Sequence, residues 1–199
     1  MTNSVAPSAV VETATPPRRI PGEEGLWVFI FGDMTIFALL FGAFLVARGD
    51  DPSLFVASRE HLSLAFGTAN TLVLLTSSAL IALSAQAFRA KRAAAAVQMI
   101  AGAELCALLF VAFKAFEWHD VLSEQPNAAG NPFYVYYFGL TGLHLLHLIV
   151  GSVGLILVGR SMRLPNKNSR FIIEAGSCYW HMVDLVWVVI FPLVYLASS

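Results

Sequence analysis

Five stretches of this 199-residue chain are apolar for about 20 residues or more, the length that crosses a lipid bilayer as a helix. They run roughly over Leu26–Ala47, Ala65–Phe88, Ala94–Phe116, Tyr134–Val158 and Ile172–Leu196. The segments between them hold the turn formers, among them Gly49-Asp50-Asp51-Pro52, Arg89-Ala-Lys-Arg92 and Glu124 through Pro132. No segment alternates apolar and polar residues for long, so strands are not expected. The pattern predicts an all-α membrane protein, an antiparallel bundle of five transmembrane helices joined by short loops. Composition agrees: 57% of residues are hydrophobic, 13% are charged and the mean hydropathy is +0.70. Soluble domains carry about 25% charged residues.

Charge placement then sets a direction. Arg18 and Arg19, the group Arg89, Lys91 and Arg92, and the group Arg160, Arg163, Lys167 and Arg170 all fall on one side of the bundle. Arg48 and Arg59 fall on the other, with Lys114 read as near a helix end. The excess of Lys and Arg marks the cytoplasmic side. The N-terminus is therefore expected in the cytoplasm and the C-terminus in the periplasm. Residues 1–22 lack the apolar core of a signal peptide and are expected to be a disordered tail. Residues 23–199 form the single membrane domain. A net charge of −1 argues against nucleic acid as a partner. Cys106 and Cys178 lie within apolar spans and read as small apolar side chains, with no Cys-x-x-Cys-His for covalent haem.

Ionisable groups inside the spans carry the candidate chemistry, because burying them in lipid is costly and they normally turn toward protein. Asp33 lies in the first span and Glu104 near the middle of the third. Two histidines, His144 and His147, share one face of the fourth. In the last span Glu174 and His181 fall on nearly one line, with Asp184 about 80° round from them. Glu117, His119 and Asp120, at the end of the third span, read as interfacial and solvated. Trp27, Glu117, Trp118, Trp180 and Trp187 are candidate lipid or interface contacts. The second span bears Asn70, Thr71, Ser77, Ser78 and other small polar residues that suit close helix packing.

Three readings of these groups stay open on the residues alone. They hold helices together, as neutral histidines bonded to buried carboxylates. They form a proton or solute path of an independent transporter. Or they bind iron or zinc, although no Glu-x-x-His of the di-metal bundles and no His-Glu-x-x-His is present.

The run Tyr179-Trp-His-Met-Val-Asp-Leu-Val-Trp187 resembles the Trp-His-Phe-Val-Asp-Val-Val-Trp signature that ends subunit III of the haem–copper oxidases. Glu174 upstream belongs to the same pattern. Four further matches come in the family's order: Asp33 for the buried acid of the first helix, Asn70-Thr71, Glu117-Trp118, and Gly142-Leu-His144-Leu-Leu-His147. Larger members have seven helices, and the lipid-filled cleft that their first two helices form lacks a counterpart here. Five-helix relatives include quinol oxidase subunit III and a subunit-III-like protein encoded with nitric oxide reductases, which the Gly130-Asn-Pro-Phe run resembles.

The resemblance implies an accessory subunit in the bacterial inner (plasma) membrane, without a reaction or metal of its own. Its implied partners are a catalytic subunit of subunit I type, an electron-entry subunit of subunit II type or a cytochrome c, and membrane lipids. Haem, and copper where present, would sit in the partner, and a bound phospholipid is implied. The implied role is support of proton uptake and of sustained turnover. The catalytic subunit of the family binds its haems and copper through more histidines than the five present here.

Overall fold

The structure, a computed structural model, describes residues 24–165 and 169–196. The expected disordered tail and Arg18, Arg19 and Lys167 lie outside the described residues. Among the described residues six α-helices follow one another: α1 (Glu24–Asp50), α2 (Pro52–Arg59), α3 (Leu64–Arg89), α4 (Ala93–Glu124), α5 (Pro132–Arg163) and α6 (Ser169–Phe191). A 3₁₀ turn, Ala128–Gly130, precedes α5, and a π turn, Pro192–Leu196, continues α6. Among the described residues there is no strand, and five helices are long and apolar enough to span a membrane.

The helices form where the apolar runs predict them, with two differences. The third span is longer than its apolar run, because α4 continues to Glu124. The extra turns contain Glu117, which stays helical and buried because Lys114 neutralises it one turn earlier. The short helix α2 is an addition. Pro52 starts it with its φ already helical, and Asp51 caps it by accepting the Leu54 N–H at 3.1 Å. Phe55 then seals it onto the bundle, edge-on to Phe44 at 5.4 Å and to Phe133 at 5.6 Å between ring centroids.

α3 and α4 form a tight hairpin through Arg89–Arg92, where Lys91 takes a left-handed backbone with φ of 60°. α6 packs on α5 and α3, and α4 packs on α5. At one point α5 and α6 nearly touch: a Cβ added to Gly176 would sit 2.5 Å from Val158 Cγ2. Only glycine allows that approach, as expected of packing between membrane helices. α1 stands at the edge against α5 and α6, with Val28, Phe31, Leu39 and Val46 facing outward. The core of the bundle is aromatic and lies between α3, α4, α5 and α6, around Phe110, Tyr137, Trp180 and Trp187.

Candidate functional site

One contact joins an acid of α1 to a histidine of α5. Asp33 Oδ2 lies 3.3 Å from His147 Nε2, with both side chains mostly covered. The opposite ring nitrogen, Nδ1, is 2.8 Å from the Leu143 carbonyl, one turn back on the same helix. A carbonyl only accepts, so Nδ1 must carry a hydrogen. Nε2 of a neutral ring would then present a lone pair to the Asp33 carboxylate. Asp33 Oδ2 is buried and makes no hydrogen bond of good geometry. Phe37 meets the His147 ring edge-on at 5.4 Å and helps to hold it.

The other expected residues are spread through the bundle. His144, one turn before His147, has no exposure and lies in the aromatic core, 5.5 Å from Phe110 and 5.2 Å from Trp187 between rings. Neither of its nitrogens has a hydrogen-bond partner. His181 bonds Ser78 Oγ at 2.7 Å through Nδ1, so its partner is a hydroxyl on α3 and not a carboxylate. Asp184 is buried beside Ser78, with neither oxygen in a hydrogen bond of good geometry. Glu174 turns away from both and takes Arg170 at 3.2 Å, on an exposed face. The shared line of Glu174 and His181 therefore joins no common site.

Glu104 lies on the wall of an outward-facing groove of about 850 Å³ between α4 and α5. Ser152 stands beside its carboxyl, Oε1 is buried without a partner, and Arg160 and Arg163 close one end of the groove. Trp27 and Trp118 are half-buried, and Trp118 lies edge-on to Phe138 at 5.5 Å.

Three of the sequence expectations are corrected. Glu117 is not solvated: it is 2% exposed and paired with Lys114 at 2.7 Å, and Lys114 is itself buried rather than near a helix end. His119 and Asp120, its neighbours, do face outward. Trp180 and Trp187, read as lipid or interface contacts, lie in the core. Trp180 donates its N–H to Ser77 at 3.0 Å and Trp187 donates to Thr71 at 3.1 Å, so the small polar residues of α3 serve as their acceptors. Tyr195, the partner that completes the Lys114 cluster, was not singled out from sequence. The signal for it was an opposite-charge pair at i, i+3 within an aromatic run.

Residues 18–199 match the family model of cytochrome c oxidase subunit III. The chain belongs to the cytochrome c oxidase subunit III family. Cytochrome c oxidase subunit 3 of Alkalihalophilus pseudofirmus is 32% identical over 184 residues, covering 86% of this chain and 84% of that protein. Cytochrome bo(3) ubiquinol oxidase subunit 3 of Buchnera aphidicola is 25% identical over 177 residues, covering 88% and 86%. A longer protein of Aeropyrum pernix, named heme-copper oxidase subunit I+III, is 26% identical over 182 residues, covering 87% of this chain and 22% of that protein. With five spans and this membership, the chain is a multi-pass membrane protein of the subunit III family. Its Asp33–His147 contact joins two of the motifs that carried the resemblance.

Proposed function

We propose that the chain is an accessory subunit of a respiratory haem–copper oxidase, without a redox centre of its own, and that the Asp33–His147 pair is its proton-linked element. One observation supports the second half: with Nδ1 committed to the Leu143 carbonyl, His147 turns Nε2 toward Asp33 Oδ2 at 3.3 Å, so an acid and an imidazole meet across two helices. A carboxyl and an imidazole in contact near the end of a span are groups that can take a proton from one side and pass it to a neighbour. In the expected orientation, with the N-terminus in the cytoplasm, that end of α1 is cytoplasmic, which suits proton uptake.

The partner in this reading is a subunit of subunit I type. The relative named for both I and III in one protein supports that neighbour. An electron-entry subunit, or a cytochrome c, completes the complex in the bacterial inner membrane. Haem and copper belong to those partners. The relatives are named as oxidases, which favours an oxidase over a nitric oxide reductase. The groove beside Glu104 suits the hydrocarbon of a bound phospholipid, with Arg160 and Arg163 placed to meet its phosphate.

Purification of the full chain from its own membranes in mild detergent tests the assignment. Co-elution with a haem-bearing subunit in fixed ratio is expected. Recovery of the chain alone with stoichiometric iron or copper would contradict it.

A further inference from the structure

The described spans hold one ion pair wholly inside the core, and it is not the one used above. Lys114 and Glu117, one turn apart on α4, are 1% and 2% exposed. The Lys114 ammonium donates to Glu117 Oε2 at 2.7 Å, to the Tyr195 oxygen at 2.8 Å and to the Tyr137 oxygen at 3.5 Å. The rings of Tyr137, Trp187 and Tyr195 surround it with centroids 5.0, 4.9 and 5.3 Å away. The Tyr195 hydroxyl in turn donates to Glu117, 2.7 Å from Oε1 and 2.8 Å from Oε2. All three ammonium hydrogens and both carboxylate oxygens are thus engaged, and the unit is neutral as a whole.

Tyr195 reaches this place by an irregular turn. Pro192 has no N–H to give, and from it the chain runs as a π turn. Widening the helix by this amount rotates the residues beyond it, and Tyr195 points inward. Its ring presses against α3 at Gly67, where an added Cβ would lie 2.9 Å from the ring carbons. The hydroxyl thus meets α4 while the ring meets α3, next to α5 through Tyr137.

We infer that Lys114, Glu117 and Tyr195 form a charge-neutral latch that seats the chain's C-terminal turn in the bundle, and that this pair serves seating and not proton movement. A buried ion pair is a poor source of net stability but a strict judge of geometry, since removing one partner strands the other. Lys114, Glu117, Tyr137 and Tyr195 are each 2% exposed or less, so the cluster offers no exposed group that could take a proton from water. The inference stands on these contacts and does not depend on the role proposed for Asp33 and His147.

The test uses the full-length chain in mild detergent and reads amide hydrogen exchange over residues 193–196. Lys114→Met and Glu117→Leu, made singly, are expected to speed exchange there at least about tenfold. The triple variant Lys114→Met, Glu117→Leu, Tyr195→Phe is expected to return it to within about twofold of the parent, because an apolar set strands nothing. Single variants with unchanged exchange, or a triple variant as fast as the singles, would overturn the latch. If the singles fail to accumulate, Tyr195→Phe decides alone. It keeps the ring at Gly67 and removes the hydroxyl, so faster exchange supports the latch and unchanged exchange overturns it. Turnover of the assembled complex reads the second half. Normal turnover with the triple variant supports seating, and lowered turnover with normal exchange overturns it.

Discussion

His147 has two nitrogens with different obligations, and the site follows from that difference. One is tied to its own helix at the Leu143 carbonyl, and the other faces Asp33. His147→Phe should therefore reproduce the effect of Asp33→Ala on the assembled oxidase, since either change breaks the same contact. The double variant should be no slower than the singles, and an additive loss in steady-state turnover would show two separate roles. Trp180 offers a simpler check. Its N–H to Ser77 is fully buried, so Trp180→Phe should cost about 1 kcal/mol or more in a thermal melt of the chain, and Ser77→Ala a similar amount without summing. Equal stability of the variants and parent would mean that the bond carries nothing. At this scale the sequence revealed which residues were unusual, but not their partners. A helical repeat puts His144 and His147 on one face, yet only the packing of α1 against α5 decides that His147 meets an acid and His144 meets rings. Lys114 misled because a lysine near Glu117, His119 and Asp120 resembles a wet helix end.

Among the elements, α2 was the one that the apolar runs concealed. Eight residues are too few for a span, and its signals were the Asp51-Pro52 start and Phe55. Asp51 lies outside the spans, and the Ser53 hydroxyl, followed by the Leu54 N–H, holds its carboxyl below the usual carboxylate range. A lowered value means that the ionised cap stabilises the start of α2 at neutral pH, and that this support is lost as pH falls through that value. Asp51→Ala should lower the exchange protection of the Leu54–Val56 amides at pH 7 and remove the acid dependence of that protection. An unchanged profile would show that the packing of Phe55 alone holds α2. The helices of the spans were legible because lipid demands a long apolar run with every backbone group bonded internally. The end of α4 and the π turn were not, since both depend on contacts with distant residues.

For the whole molecule, the sequence supplied the class, the number of spans and the family signature, and the structure supplied which helices are neighbours. α3, α4, α5 and α6 share an aromatic core, while α1 remains at the edge and presents apolar side chains outward. The positive residues predict that the turn at Lys91 faces the cytoplasm. A cysteine placed at Ala90 should react with an impermeant maleimide only in inside-out vesicles, and labelling of intact cells would reverse the orientation. A turnover time course of the purified complex carrying Asp33→Ala tests most directly what this bundle does for its neighbour. The account predicts unchanged haem content with lower and less sustained turnover. Turnover equal to the parent, or loss of haem with the substitution, would contradict it.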